Sequence, residues 1–139
     1  MQTPDTVEVI TGENPEGSVI WLHGLGADGH DFEPIVPELK LTSGLTLRFV
    51  FPHAPVQAVT INGGMAMRSW YDIVSFDAEG RADRAGVLKS SALLDGLIAR
   101  EIERGIPARK IVIAGFSQGG AVAIHTALQT DQNIAGLMA

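Results

Sequence analysis

Ser117 stands in the run Gly115-Phe116-Ser117-Gln118-Gly119. This G-x-S-x-G motif lies between the apolar stretch "KIVIAG" (110–115) and the compact, mostly apolar "QGGAVAIHTALQT" (118–130). Between a strand and a helix the motif is a nucleophile elbow. A sharp turn lifts the serine hydroxyl clear of the sheet, and glycines two residues to either side leave room for neighbouring backbone. The chemistry it suits is acyl transfer, with Ser117 attacking and the positive end of the following helix facing the oxygen that becomes negative. An elbow needs a second oxyanion donor from a loop after an earlier strand. "HGLG" (23–26), following "VIWL", is such a loop, so the backbone N–H groups of Leu25 and Gln118 are expected to converge on that oxygen.

The same loop spells G-x-G-x-x-G through Gly24, Gly26 and Gly29, the fingerprint of a dinucleotide-binding turn. That chemistry requires an acidic residue about 20 positions further on. None occurs from Leu39 to Tyr71. Gly29 is also followed by His30, Asp31 and Phe32, with Pro34 close behind, instead of by a helix packed tightly on its strand. The glycines are therefore read as shaping an oxyanion loop, and no dinucleotide is expected.

The elements that would position these groups can be read from periodicity. "SVIWLH" (18–23), "LTLRFVFP" (45–52) and "KIVIAG" (110–115) read as buried strands. "DFEPIVPELK" (31–40) reads as a short helix capped by Asp31, with Pro34 early enough to be tolerated. Residues 83–104 carry Val87, Ser91, Leu94, Ile98 and Ile102 at spacings of three and four, one face of an amphipathic helix ended by Gly105 and Pro107. A further helix covers 118–130. Strands alternating with helices predict an α/β fold with a mostly parallel sheet and helices on both faces. The segment from Pro52 to Asp83 has no clear period, yet it holds Met65, Met67, Trp70 and Tyr71. It is expected to be an ordered loop whose four large side chains line an apolar acyl site. "NIAGLMA" (133–139) reads as the start of a buried strand.

With 139 residues, 45% hydrophobic and 19% charged, the chain is expected to form a single globular domain over 1–139. A net charge of −6 argues against nucleic acid and anionic membrane as partners. The absence of cysteine excludes disulfides, thiolate metal sites and a cysteine nucleophile. No secretory signal is legible, and no apolar run approaches the roughly 18 residues of a membrane span, so a cytoplasmic protein is the default expectation. No His, Asp or Glu grouping has ligand spacing, so no metal is expected.

"LHGLGADGHDF", "FPHAP", "SWYD" and "AGFSQGGA" occur in the order and spacing of the phospholipase/carboxylesterase family. The chain resembles that family, which includes bacterial carboxylesterases and acyl-protein thioesterases, from about residue 18 to its last residue. The resemblance implies an α/β-hydrolase fold, a Ser-His-Asp triad, no cofactor, and hydrolysis of a small-molecule carboxylic ester or thioester through an acyl-enzyme on Ser117. It implies Leu25 and Gln118 as the oxyanion hole, Trp70 as an aromatic wall beside the acyl or leaving group, and a structural Asp72. A lysophospholipase or acyl-protein thioesterase is the narrower alternative, and a homodimer is an assembly that family members often adopt.

One part of the pattern is missing. In this fold the triad runs Ser, Asp, His along the chain, whereas His125 and Asp131 follow Ser117 in the opposite order. His125 is eight residues along the helix, about 12 Å by helical rise, and a general base must come within roughly 3 Å. His125 is read as a packing or partly exposed residue, His23 as a hydrogen-bonding support of the oxyanion loop, His53 as a rim residue and His30 as a loop residue. The triad acid and base and the last strands of the sheet are thus expected beyond residue 139, with the domain truncated at its C-terminus. A non-catalytic hydrolase-like binding module is the alternative from a different class.

Overall fold

The structure is a computed structural model that describes residues 3–42, 44–75 and 83–139. Its main sheet contains β1 (Thr6–Ile10), β2 (Gly17–Leu22) and β3 (Leu47–Pro52). A separate hairpin follows, β4 (Val56–Val59) and β5 (Met65–Arg68); helix α1 (Arg84–Glu103), β6 (Ile111–Gly115), helix α2 (Gln118–Gln129) and β7 (Gly136–Met138) complete the order. The main sheet runs β1-β3-β2-β6-β7. β3, β2, β6 and β7 are mutually parallel, and β1 joins the edge antiparallel to β3. This is the α/β-hydrolase arrangement expected from the sequence, with a mostly parallel sheet.

Alternation along the central strands divides the apolar residues between two faces. Ile20, Leu22, Val50, Ile111 and Ile113 meet Leu94, Leu97 and Ile98 of α1 and Val122 and Ala123 of α2. Val19, Phe49, Phe51 and Ala114 turn the other way, onto Val36, Phe32 and Leu41. Both α-helices therefore share one face among the described residues and short 3-10 turns cover the opposite one, where the sequence pattern predicted helices on both faces.

Those turns correct the expectation of a helix over 31–40. The segment forms two separate turns, Glu33–Ile35 and Pro37–Leu39, each with proline at its start, and Asp31 caps neither. Pro37 has no N–H to continue a helical ladder, so the first turn cannot propagate into the second.

The Pro52–Asp83 segment holds an ordered hairpin that its sequence pattern did not predict. A 3-10 turn, Thr60–Asn62, leads into Gly63 and Gly64, at φ 69° and 80°, where a side chain would be strained. β7 is a strand, as expected, and pairs with β6, but it is not the buried strand predicted, since Leu137 and Met138 are 40% and 50% exposed. Among the described residues no helix is long and apolar enough to cross a membrane.

One polar cluster fixes α1 to the sheet edge. Glu101 is fully buried on α1 and accepts from Ser18 Oγ at 2.6 Å, Arg48 Nη1 at 2.8 Å and Arg104 Nη1 at 2.9 Å. Arg100 and Arg104 also reach Glu8 on β1, at 3.2 and 3.1 Å. The cluster spans three strands and the helix, at the end of the sheet where Ser18 pairs with Ile111, opposite the end of β6 that leads to Ser117.

Candidate active site

Ser117 lies two residues beyond the end of β6 as the N-cap of α2, at φ 55° and ψ −116°, and is exposed. That backbone conformation is nearly glycine-only and costs about 1–3 kcal/mol, so the surrounding structure must enforce it. The glycines supply the enforcement. A methyl on Gly115 would lie 2.3 Å from Gly119 O, and one on Gly119 would lie 2.5 Å from both His23 O and Leu22 O. Backbone thus passes where side chains would otherwise be, and the hydroxyl is held out on the tip of a tight turn. Gln118 is the first residue of α2, so its N–H precedes the helical ladder.

The loop 23–26 packs directly against this turn. A methyl on Gly24 would come 3.6 Å from Ser117 Cβ and 3.2 Å from the Phe116 ring. Gly26 N donates to Arg68 O at 2.9 Å and Ala27 N to Gly24 O at 3.3 Å. The Leu25 N–H lies between these anchored neighbours, and among the described residues it donates to no carbonyl. The sequence-predicted donors Leu25 and Gln118 are therefore on two segments that meet beside Ser117.

His23 holds the loop from below. Its ring is buried, Nε2 accepts from Ala54 N at 3.0 Å, and Nδ1 faces Gly24 O at 2.7 Å. An acceptor at Nε2 leaves the proton on Nδ1, which donates to Gly24 O. Burial pushes the imidazole below its ordinary pKa, outweighing the bond to Gly24 O and the charge of Asp28. A depressed folded-state pKa means the unfolded chain binds more protons. The stability from neutral His23 is then complete above the unfolded value of about 6.5 and is lost as pH falls through the folded value. Urea unfolding against pH should show this loss below about pH 6.5, and His23→Gln should remove it. The difference between the two proteins isolates His23 from His30, whose pKa is raised by Glu33 and acts with opposite sign.

The other histidines do not approach as bases. His53 Nδ1 accepts from Gly29 N at 3.0 Å, and His30 pairs with Glu33 on the surface. His125 lies along α2 with Nε2 buried and without a hydrogen-bond partner among the described residues. No described histidine or carboxylate hydrogen-bonds Ser117. Asp72 is tied to Thr60, accepting from its N–H at 2.8 Å and its hydroxyl at 2.6 Å. Those bonds, the hydroxyl's first, hold its carboxyl below the usual range.

The four expected acyl-site residues separate. Met67 sits beside the loop, its sulfur 3.8 Å from the position a Gly26 methyl would take, while Met65 on the same strand is 65% exposed. Tyr71 is half-buried against the main core. Trp70 is 2% exposed and belongs to the core, and it supports the loop from behind. Its indole Nε1 donates to His23 O at 2.8 Å, its own N–H donates to Gln118 Oε1 at 2.7 Å, and its carbonyl accepts from Ser90 Oγ. A large amphipathic ring in a loop gives no sign of whether its partner is substrate or backbone, and here backbone takes the N–H. The Gln118 side chain and Asp83 were not anticipated. Asp83 caps α1 through Gly86 N and accepts from Asp72 N, a role signalled by an Asp directly before a helical period.

Comparison with known proteins agrees with this geometry. The family model described as Phospholipase/Carboxylesterase matches residues 4–139. The chain is 42% identical over 128 residues to acyl-protein thioesterase 1 of Neurospora crassa, covering 88% of this chain and 52% of that protein. It is 41% identical over 136 residues to acyl-protein thioesterase 1 of Cryptococcus neoformans var. neoformans serotype D, covering 96% and 57%. Among solved structures it is similar to Arabidopsis thaliana SOBER1, with TM-score 0.81 and 33% identity over 87% of this chain and 59% of that one. It is also similar to Zea mays acyl-protein thioesterase 2, with TM-score 0.76 and 27% identity over 89% and 51%. The chain spans little more than half the length of the curated relatives it matches.

Proposed function

The chain belongs to the phospholipase/carboxylesterase family, and from that premise we propose that it carries the nucleophile of a cytoplasmic serine hydrolase acting on carboxylic esters or thioesters. The observation that supports this most is the exposed Ser117 at φ 55°, at the start of α2. Such strain persists in a fold only where surrounding structure maintains it, and it clusters at functional sites.

In this reading Ser117 Oγ attacks the carbonyl carbon and its proton passes to a histidine base. The carbonyl oxygen, now negative, is held by the N–H groups of Leu25 and Gln118. Collapse breaks the bond to the alcohol or thiol, which leaves with the proton, and water then hydrolyses the acyl-enzyme. The base and its aspartate are proposed to come from sequence outside these 139 residues. Two observations favour that: the relatives are nearly twice as long, and no described histidine hydrogen-bonds Ser117. The second also keeps a non-catalytic module as the competing reading. Met67, beside the loop, is the residue we propose to touch the acyl group.

Hydrolysis of p-nitrophenyl acetate and of a long-chain acyl thioester tests this, using the protein carried to the length of its relatives and residues 1–139 alone. We expect turnover from the longer protein only, and the ratio of the two substrates then separates a short-chain esterase from a thioesterase. Equal activity from residues 1–139 would place the base inside them. No turnover from the longer protein would favour the non-catalytic module.

A further inference from the structure

We infer that the side chain of Gln118, not only its backbone, is a positioning residue that sets the spacing of the two oxyanion donors; this rests on the esterase reading above. Gln118 is 3% exposed, unusual for a polar residue at the start of a helix. Its amide spans two successive residues of the segment after β5. Oε1 accepts from Trp70 N at 2.7 Å, and Nε2 donates to Tyr71 O at 2.6 Å. Ser69 Oγ lies 3.2 Å from Nε2. The side chain thus does what a neighbouring strand's peptide group would do, offering one acceptor and one donor in register. An amide offers both groups at once, the acceptor to Trp70 N–H and the donor to Tyr71 C=O, which also accepts from Ser69 Oγ at 2.5 Å.

The segment it grips carries the oxyanion loop. Arg68 O accepts from Gly26 N at 2.9 Å, and Trp70 Nε1 donates to His23 O at 2.8 Å. These anchors lie on either side of Leu25. The chain of contact therefore closes on itself: Gln118 backbone supplies one donor, and Gln118 side chain holds residues 69–71, which hold residues 23–26, which carry the other donor. His23 O returns to α2, where it leaves no room for a methyl on Gly119. Gln118→Ala would keep its own N–H in place and release the partner.

A donor displaced by about 1 Å costs on the order of 100-fold in rate, so Gln118→Ala should lower kcat by roughly 10- to 100-fold with KM nearly unchanged. Gln118→Glu gives the sharper readout. When its carboxyl is ionised it faces Tyr71 O with no proton to donate. When protonated it can accept from Trp70 N and donate to Tyr71 O, as the amide does. Its kcat, divided by that of the unaltered protein at the same pH, should therefore rise as pH is lowered.

The assay uses the protein at its relatives' length, with circular-dichroism melts to confirm that each variant is folded at the assay temperature, and Ser117→Ala alongside. If Ser117→Ala abolishes hydrolysis, Gln118→Ala loses kcat and the Gln118→Glu ratio climbs in acid, the inference stands. An unchanged kcat in Gln118→Ala, a loss confined to KM, or a pH-independent Gln118→Glu ratio would overturn it while leaving Ser117 as nucleophile. Hydrolysis surviving in Ser117→Ala would instead overturn the reading on which it rests. If Gln118→Ala does not fold, the Gln118→Glu profile decides alone.

Discussion

Replacing Ser117 with alanine is expected to lower kcat for ester hydrolysis by more than about 10³-fold while leaving the melting temperature where it was. The two halves of that expectation have different causes. The hydroxyl is the proposed nucleophile, and without it no acyl-enzyme forms. The strain at φ 55° and ψ −116° comes from the Cβ, which alanine retains, so the fold is no more and no less comfortable. Ser117→Gly separates the halves further. It removes the Cβ and should raise stability by about 1 kcal/mol, since relief of strain exceeds the added backbone entropy of glycine. A protein made more stable and inactive by the same change would show that the elbow conformation is maintained for chemistry. Thermal unfolding and steady-state rates on the three proteins check both halves. A stability loss in Ser117→Ala, or residual turnover within about tenfold of the parent, would contradict the assignment.

Glu101→Ala should be the most destabilising single change outside the elbow, by about 3–5 kcal/mol, read as a drop of roughly 10 °C or more in melting temperature. Glu101 is completely buried, and its two oxygens satisfy Ser18, Arg48 and Arg104 together. Without it, Arg48 keeps a guanidinium in a site where only 14% of its side chain is exposed, with Glu8 no nearer than 4.0 Å. An unpaired charge of that kind accounts for most of the loss. Glu101→Gln keeps one acceptor oxygen but not the charge, so it should recover only the smaller part of the loss. Glu8 adds an acid-labile contribution to the same cluster. Burial raises its carboxyl pKa, but the Arg104 hydrogen bond and charge more than reverse that, leaving it below the usual value. Its stabilisation is present above the unfolded pKa and lost as pH falls through the folded one. Denaturant titrations of Glu101→Ala and Glu101→Gln at neutral and acid pH measure each part.

The elements that position Ser117 were legible because their apolar residues repeat with a clean period and end in turn residues. β2, β3, α1, β6 and α2 lie within a residue or two of their expected bounds, and Gly105, at φ 99°, ends α1 as a left-handed cap. β1 was missed because "TVEVI" is short and half-exposed. Val7 and Val9 alternate inward, but five residues at an edge give a weak signal. The hairpin β4–β5 carried a readable sign, the turn residues Asn62-Gly63-Gly64, hidden by flanking strands of only four residues each. Residues 31–40 fooled the pattern because the apolar spacing of a helix survives in two proline-led turns that never join.

The site was legible in its backbone roles and opaque in its side-chain support. A motif states where an N–H must lie, because glycines and a strand–helix boundary fix the turn. It does not state what Gln118 Oε1 or Trp70 Nε1 will bond, since those partners come from segments nearly 50 residues apart in the chain. Glu101 was opaque for the same reason. It sits one helical turn from Ile98 and Leu97, and nothing local distinguishes it from a solvated acid until Arg48 and Ser18 arrive from the sheet.

If Ser117 forms the covalent acyl-enzyme, a serine-directed fluorophosphonate should label it. Treat the protein, at its relatives' length, with the reagent and measure intact mass, then map the adduct by peptide sequencing. One adduct per chain is expected, on the peptide containing Ser117 and absent from Ser117→Ala. An adduct on any other residue, or undiminished labelling of Ser117→Ala, would contradict it.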